Sequence, residues 1–399
     1  MKVLFVTPFY EPAWVYGGIV RASVDWARAL SAAGVAVSVF TTAANGEQEL
    51  DLPLGIPLDR DGIPVTYFPR WRRSGNRFVS PSLLRACVRE TGKFDILHSV
   101  GLWTFPTLVS TWVTRWSGVP YVVSLHGMLM PWPLQHHGWW KNLFMTWLER
   151  PRLMGASRLI CCSEIERQCL TESAFISRAC VIPSVVNGPG VVHAPERFRA
   201  RYGLQNAFII LFAGRIVENK GLHLTLAAFA KSAALFPDTH LVVAGPVGDD
   251  SAGNIRRQAQ AMELENRVHF TGLLQGTDYF EAIAGANLFI LNSYSENFGL
   301  AAAEALACGV PVLLSDQVGI ADLVAKYGAG AITPLKVDAI AEAIIQMRSQ
   351  RQNLYEMGQN GVRLVRDHFS SSVVGPRFAH LLEQVLEEQR GPISSTVDK

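Results

Sequence analysis

Short apolar runs rich in β-branched residues alternate with helical patterns along the whole chain, and this alternation constrains the fold more than any other feature. Near-continuous apolar strands are typical of parallel sheets, and strands separated by helices form βαβ units. Helices predicted at 19–33, 81–91 and 105–117 fit this plan, whereas residues 43–63 have no period and predict a long loop. The strands predicted in the first half are 3–7, 35–41, 65–68, 96–99, 121–125, 159–162 and 181–183.

The second half of the chain repeats the plan. A helix is predicted at 221–236, and three more at 338–350, 353–366 and 377–389. Because one hydrophobic core usually stops growing at roughly 250–300 residues, a chain of 399 residues is expected to form two domains. The strands predicted in this half are 208–213, 240–244, 268–271, 288–291 and 311–314.

We therefore predict an α/β fold of two doubly wound, Rossmann-like domains that face each other across a cleft. Residues 1–187 form the first domain and 188–369 the second, with the linker near 188–195. Residues 370–399 are predicted to form a C-terminal helix that packs back toward the first domain, followed by a disordered tail. Ligands in such folds bind at the carboxyl ends of strands and in clefts between domains.

Tryptophan and charge are distributed unevenly between the two halves. All ten tryptophans lie within the first 147 residues. Residues 1–183 carry 18 Lys and Arg against 13 Asp and Glu, a net charge of +5, whereas the rest of the chain has a net charge of −3. The two halves are thus expected to face different partners. The total of +2 argues against a strongly electrostatic binder of nucleic acid or another polyanion.

The cysteines and the apolar runs indicate the compartment. The six cysteines show no CxxC spacing, which favours free thiols in a reducing compartment over a metal site or a disulfide framework. The apolar run at the N-terminus is too short for a signal peptide, and no apolar run reaches 18 residues. We expect a cytoplasmic protein that does not span a membrane.

The sharpest motif in the sequence runs from 292 to 311. A strand is predicted to end near Leu291, a loop holds Glu296, and a helix that begins near 298–299 carries Glu304. The N–H groups of residues 297–299 would then lie at a helix N-terminus, which suits phosphate or sugar oxygens. Glu304 on an Ala- and Leu-rich helix is costly to bury alone, and ribose hydroxyls would satisfy it; the alternative is a salt-bridged surface glutamate.

Glu296 and Glu304 could also be the carboxyl pair of a glycosidase. Eight residues of helix rise span about 12 Å. The catalytic carboxyls of glycosidases lie roughly 5–5.5 Å apart in retaining enzymes and 6.5–9.5 Å apart in inverting ones. Hydrolysis by this pair is therefore disfavoured, and two separate roles on one ligand fit better.

A second motif places two cations at a strand-to-helix turn. Gly214 and Arg215 follow a predicted strand, and Lys220 and Gly221 precede a predicted helix. An arginine fork and a lysine point charge suit a diphosphate, and no GxxxxGK[ST] pattern is present. The alternative is a pair of solvated surface cations.

Three weaker signals lie in the first half. Gly17 and Gly18 open the first helix and would let backbone approach a phosphate or sugar; the alternative is a flexible loop. His126 and Gly127 end a predicted strand, where functional residues collect, although a structural histidine is the commoner case. The Asp-Arg-Asp at 59–61 is formally a D-x-D metal pattern, but it does not lie at a strand end, and we predict no metal site.

In their order along the chain, from Gly17-Gly18 through His126-Gly127 and Gly214 to Gly221 and then Glu296-x7-Glu304, the motifs resemble retaining glycosyltransferases of the GT-B fold, specifically glycosyltransferase family 4, also called group 1. The resemblance covers nearly the whole chain and is most specific over residues 208–315. It implies a UDP- or GDP-sugar donor held mainly by the second domain, with no metal or other cofactor. It also implies front-face transfer, in which the configuration at the anomeric carbon is retained.

The resemblance also implies a role for each motif. Catalytic roles fall on His126 beside the transferring sugar, Glu296 on the donor sugar, and Arg215 and Lys220 on the diphosphate. Glu304 would bind the ribose hydroxyls. The remaining donor contacts would be Gly17 and Gly18 at the phosphates, Gly214, Leu273 at the base, and Asn297, Phe298, Gly299 and Leu300 at sugar or phosphate oxygens.

The first domain would then bind a glycan or lipid-linked acceptor, as in surface polysaccharide assembly at the inner face of the membrane. Aromatic rings with basic neighbours suit sugar stacking or an anionic leaflet, and the alternative is that several are core residues. Trp71, within the Arg-Trp-Arg-Arg of residues 70–73, is the best membrane-surface candidate. The other tryptophans of this kind are Trp103, Trp132, Trp139, Trp140 and Trp147.

The predicted function is therefore transfer of a hexose-type sugar from a nucleotide-diphosphate sugar, with no nucleic-acid partner. Two alternatives stay open. One is a non-catalytic GT-B protein that binds sugar nucleotides, and the other is a GT-B nucleotide-sugar epimerase. A phosphorylase is disfavoured because the sequence shows no lysine in a pyridoxal-phosphate context.

Overall fold

A computed structural model describes residues 1–71, 75, 77–135, 143–188, 194–246 and 251–390. The chain divides into two compact units. The N-terminal unit comprises Met1–Val185 and Ser371–Lys399, and the C-terminal unit comprises Val186–Ser370. The domain limits predicted from the sequence were 187 and 369, and residues 391–399 of the predicted tail lie outside the described part.

The N-terminal unit is built on an eight-stranded sheet with the order β10-β9-β8-β7-β1-β2-β6-β5. All pairings in this sheet are parallel except β5 with β6. The strands of this unit are β1 Lys2–Val6, β2 Ala36–Thr42, β3 Ala44–Asn45, β4 Gln48–Glu49, β5 Pro57–Arg60, β6 Ile63–Phe68, β7 Ile96–Val100, β8 Tyr121–Ser124, β9 Arg158–Cys161 and β10 Ala179–Val181.

Helices connect the parallel strands of this unit. The described helices are α1 Gly18–Ala32, α2 Pro81–Glu90, α3 Phe105–Ser117, α4 Pro131–Gln135, α5 Arg150–Gly155, α6 Glu164–Gln168 and α7 Ser173–Ile176. Short 3-10 turns span Trp14–Tyr16 and Thr91–Lys93, and a π-helical turn spans Met145–Glu149. No described helix combines the length and the apolar character needed to cross a membrane.

The C-terminal unit has a parallel six-stranded sheet with the order β13-β12-β11-β14-β15-β16. Its strands are β11 Phe208–Ala213, β12 Thr239–Ala244, β13 Val268–Gly272, β14 Leu288–Leu291, β15 Val312–Ser315 and β16 Gly330–Thr333. Its helices are α8 Pro195–Arg201, α9 Leu222–Ala233, α10 Ser251–Ala261, α11 Gly276–Ala284, α12 Leu300–Ala307, α13 Ala321–Tyr327, α14 Val337–Ser349 and α15 Asn353–His368. The predicted fold class of two Rossmann-like α/β units is confirmed.

The last helix, α16 Ser371–Arg390, packs on α1 in the N-terminal unit. Gly375 lets the two helices approach closely, since a Cβ there would lie 2.4 Å from the carbonyl oxygen of Ala29. Phe378 is fully buried and meets the edge of Trp26, with ring centroids 5.5 Å apart. Helix α16 thus completes the core of the N-terminal unit.

Two details of the sequence prediction are wrong. Residues 43–63 are not one long loop, because β3 and β4 form a hairpin there and β5 pairs antiparallel with β6. Strand β16 was not predicted, and residues 189–193 of the predicted linker lie outside the described residues. The missed strands are two to four residues long, which is too short to show an alternating pattern.

Candidate functional site

The C-terminal unit brings two of the predicted site residues together. Lys220 ends the 3-10 turn Glu218–Lys220 just before α9, and Glu296 lies in the loop after β14. The Lys220 ammonium donates to Glu296 Oε2, and both side chains are largely buried, with 19 % and 15 % of their surface exposed. An ion pair in such a place fixes both side chains in one geometry.

A glycine allows this approach of the turn to β14. Gly221 has a φ of 62°, and a Cβ there would lie 2.0 Å from the carbonyl oxygen of Asn292. A side-chain hydrogen bond also holds this turn, because the side-chain amide of Asn219 donates to Ser295 O at 2.9 Å. The Lys220-Gly221 pair therefore has a packing role in addition to any role toward a ligand.

The loop that holds Glu296 is anchored on both sides. The Glu296 N–H donates to Gln317 O at 3.1 Å, and Glu296 O accepts from the Gly319 N–H at 2.9 Å. Gly299 caps α12 with a φ of 95°, so the helix begins one or two residues later than the sequence predicted. Within the described residues, the N–H groups of 297–299 have no protein acceptor, and they lie at the helix N-terminus.

Glu304 has a partner that the sequence prediction did not foresee. It lies on α12 and is 5 % exposed, and Tyr279 on α11 donates its hydroxyl to Glu304 Oε2 at 2.6 Å. The ribose role of Glu304 stays a prediction, and the structure shows that one oxygen of this carboxylate already accepts from a protein hydroxyl. Burial raises the pKa of the neighbouring Cys308 thiol to about 12, and the Glu304 charge contributes to this shift.

Arg215 and Leu273 both follow strands and are exposed, whereas the Lys220 side chain is largely buried. Arg215 follows β11 with an exposed side chain, and the described part of the chain gives it no ion pair. Leu273 follows β13 and is 59 % exposed. The ends of β11 and β12 are close-packed at glycine, because a Cβ on Gly245, which follows β12, would lie 1.8 Å from the carbonyl oxygen of Gly214, which follows β11.

In the N-terminal unit, Gly17 and Gly18 lie between the Trp14–Tyr16 turn and α1. Gly17 has a φ of 71°, and a Cβ at either glycine would meet no atom within 4 Å. Tyr16 stacks on Phe9 at 4.1 Å between ring centroids, which holds the loop before the glycines. There is therefore free space beside both glycines, while the stacked rings of Tyr16 and Phe9 hold the segment before them.

His126 follows β8 in a left-handed conformation, with a φ of 51°. Its Nδ1 lies 3.6 Å from Cys162 Sγ and its ring packs against Trp26 at 5.1 Å. Its Nε2 is buried and has no hydrogen-bond partner among the described residues. Burial lowers the pKa of His126 to about 4, so the imidazole is neutral at pH 7.

Sequence reasoning missed Glu166, which holds the His126 turn. Its carboxylate accepts from the N–H of Gly127 and, at 2.6 Å, from the N–H of Cys162. A signal was available, because Ser163-x-x-Glu166 directly after a strand is a capping-box pattern. Ser163 Oγ accepts from the Glu166 N–H at 3.2 Å, as that pattern requires.

Both aspartates of the Asp-Arg-Asp segment have partners in the protein. Asp59 Oδ1 accepts from the Gly62 N–H at 3.1 Å, and Asp61 pairs with Arg28 at 2.5 Å. In the part of the chain that the structure describes, no group of three or more His, Cys, Asp or Glu side chains is arranged to hold a metal ion. All six cysteines are free thiols.

Comparison with known proteins decides the family. Residues 195–363 match the family model described as glycosyl transferases group 1, and residues 17–184 match the glycosyl transferase 4-like domain. The D-inositol 3-phosphate glycosyltransferase of Nocardiopsis dassonvillei is 30% identical over 358 residues, which is 79% of this chain and 77% of that protein. The chain belongs to the group 1 glycosyl transferases.

This group 1 glycosyl transferase has other similar proteins. The GDP-mannose:cellobiosyl-diphosphopolyprenol alpha-mannosyltransferase of Xanthomonas oryzae pv. oryzae is 26% identical over 364 residues, 89% of this chain and 90% of that one. The structure of Anabaena Alr3699/HepE in complex with UDP and glucose has a TM-score of 0.75 and 22% identity, over 96% of this chain and 100% of that one. This likeness confirms the GT-B fold, and the family makes the chain a glycosyltransferase that takes its sugar from a nucleotide sugar.

Proposed function

We propose that this group 1 glycosyl transferase moves a hexose-type sugar from a UDP- or GDP-sugar to a glycan or lipid-linked acceptor, with retained anomeric configuration. The observation that carries the proposal is the Lys220–Glu296 pair beside the N–H groups of residues 297–299. A cation, a carboxylate and a helix N-terminus at one strand edge suit a sugar diphosphate. The names of two similar proteins, one with GDP-mannose and one bound to UDP and glucose, support this donor class.

The mechanism assigns separate tasks to these groups. Lys220 and the exposed Arg215 stabilise the negative charge that develops on the departing diphosphate, which is electrostatic catalysis without a metal ion. Glu296 holds the donor sugar while it fixes the Lys220 ammonium. Glu304, positioned by Tyr279, binds the ribose. The acceptor hydroxyl attacks from the side of the departing phosphate, which accepts its proton.

A donor panel tests the reaction. Purified protein is incubated with UDP- and GDP-linked hexoses, with and without a chelator, and nucleotide release is followed. We expect release from at least one donor, unchanged by the chelator, and NMR of the first sugar product should show the configuration of the donor. An inverted product, or release that stops with the chelator, would contradict the proposal. Binding without turnover would favour a binding protein, and an epimerised donor would favour an epimerase.

We also propose a cytoplasmic location with peripheral contact at the inner face of the membrane, through the N-terminal unit. Helix α3 and the segment 143–155 border a groove of about 490 Å³. Trp112 and Trp147, which are 49 % and 70 % exposed, line it together with Arg115. Neither α3 nor the described segment 143–155 carries an exposed carboxylate. Exposed tryptophan beside arginine on such a surface suits an anionic lipid surface.

The membrane surface differs from the one that the sequence favoured. Trp71 is 60 % exposed, but Arg70 beside it is buried and pairs with Glu49 at 2.5 Å, so the argument that these arginines are hard to bury is wrong for Arg70. Residues 72–74 and Trp139 and Trp140 lie outside the described residues. The groove on α3 therefore replaces Trp71 as the candidate surface.

Vesicle flotation tests this contact. The double variant Trp112→Ser and Trp147→Ser is expected to weaken binding to phosphatidylglycerol vesicles by about tenfold or more. The reason is that burial of each ring in the lipid contributes roughly 1.5–3 kcal/mol to the binding free energy. Nucleotide release is expected to stay unchanged. Tyr355→Ser is the matched control, since this ring is 76 % exposed on the C-terminal unit. Equal flotation of the double variant and the wild type would contradict the proposed surface.

A further inference from the structure

Glu166 is a buried carboxylate that joins the ends of two neighbouring strands. Only 1 % of the residue is exposed. Oε1 accepts from the N–H of Gly127, which follows β8, and Oε2 accepts at 2.6 Å from the N–H of Cys162, which follows β9. Buried carboxylates are costly unless they are hydrogen-bonded, and each oxygen here accepts from a different strand end.

The cap of helix α6 accounts for only part of this arrangement. In a capping box the glutamate reaches back to the backbone near the N-cap, and the bond to Cys162 fits that pattern. Ser163 Oγ supplies the other half of the cap by accepting from the Glu166 N–H. The bond from Gly127 lies outside the helix, 39 residues away in sequence, and serves the turn after β8.

The turn that Glu166 holds has two consecutive residues with positive φ. His126 has a φ of 51° and Gly127 a φ of 77°. A left-handed conformation is uncommon for a residue other than glycine and persists only when the surroundings enforce it. Glu166 on one side and Trp26 on the other enforce it here. The strained backbone directs an imidazole whose Nε2 is buried and has no partner among the described residues.

We propose that Glu166 is a positioning residue, which fixes the turn at 126–127 and thereby the orientation of the His126 imidazole on which donor turnover depends. This inference rests on the proposed function together with the place beside the transferring sugar that the family resemblance implies for His126. The imidazole acts as a neutral hydrogen-bonding group whose orientation is set by the backbone. Glu166 itself touches no substrate and acts through His126.

Glu166→Gln tests the positioning role. The glutamine amide keeps one acceptor oxygen but places an NH₂ group against a backbone N–H. One of the two hydrogen bonds that Glu166 accepts, from Gly127 and from Cys162, is therefore lost. We expect kcat for donor turnover to fall about tenfold to hundredfold, since a misplacement of about 1 Å can cost that much. The Kd for UDP or GDP, measured by calorimetry, should stay within about twofold. Glu164→Gln is the matched control, because Glu164 lies exposed on the same helix and pairs with Arg167.

A double-mutant cycle separates positioning from general structural damage. In a His126→Ala background, Glu166→Gln is expected to cause no further loss of kcat. Losses that multiply in the double variant would overturn the proposal, because Glu166 would then act independently of His126. The shorter carboxylate of Glu166→Asp provides a second variant if Glu166→Gln folds poorly, and its smaller loss should also vanish in that background.

The outcomes distinguish this inference from the proposed function. If the wild type turns over no nucleotide sugar, or if His126→Ala has the wild-type kcat, the proposed function or the role of His126 fails. If His126→Ala is impaired while Glu166→Gln and Glu166→Asp match the wild type, only the positioning role of Glu166 fails.

Discussion

Lys220→Ala is expected to lower kcat for sugar transfer by about 10²- to 10³-fold, the loss typical of one removed electrostatic group in a catalytic site. Two effects add in this variant. The departing diphosphate loses a point charge, and Glu296, which is 15 % exposed, loses the ammonium that holds it. Steady-state nucleotide release with the best donor of the panel measures the change, and the Kd for the nucleotide is expected to rise as well.

The control for this variant is Lys231→Ala. Lys231 lies in the same unit and also pairs with a carboxylate, Asp338, but both side chains are more than half exposed. Exposed ion pairs contribute about 0–1 kcal/mol, so neither stability nor turnover should change measurably. Equal turnover by Lys220→Ala and the wild type would refute the electrostatic role. Glu296→Gln should impair turnover too, because its amide holds an ammonium less strongly.

The strand and helix order was predictable because it depends on local patterns. The apolar runs that form β11 and β14 have the bounds that the sequence predicted, since short uninterrupted runs of Ile, Leu and Phe are typical of buried strands in parallel sheets. Strands β3 and β4 have two residues each and depend on Arg70, which donates to Gly46 O and Gln48 O from 22 to 24 residues away. Such a contact has no signature in the local sequence.

For the site, the sequence predicts which polar residues take part but not which partners they have. The sequence marked Glu304 as a buried charge in need of a donor, but Tyr279 lies 25 residues away and nothing local links the two. The Ser163-x-x-Glu166 pattern marks Glu166 only as part of a helix cap, because the Gly127 N–H that also donates to it follows β8, 39 residues away. Residue type and strand ends thus predict where polar groups collect, whereas the folded chain decides which of them already have partners.

Gly221→Ala is expected to be the most damaging single-methyl substitution at the site. Its φ of 62° is unfavourable for alanine, and the added Cβ would lie 2.0 Å from Asn292 O and 3.0 Å from Asn292 C. Backbone cannot yield as a flexible side chain does, so α9 must move away from the end of β14. We expect a loss of about 2–4 kcal/mol in the free energy of unfolding, from strain at positive φ together with overpacking. Thermal unfolding should show a Tm lower by about 5–15 °C.

Gly203→Ala isolates the close approach from the backbone conformation. Gly203 has a φ of 67°, almost the same as that of Gly221, but a Cβ there would meet nothing within 4 Å. This variant should therefore lose only about 1–2 kcal/mol, the cost of a left-handed residue with a Cβ. Equal losses in the two variants would mean that φ alone makes glycine necessary at 221. A larger loss in Gly221→Ala, with turnover reduced at temperatures where the variant is still folded, would show that the same contact that stabilises the turn also brings Lys220 to Glu296.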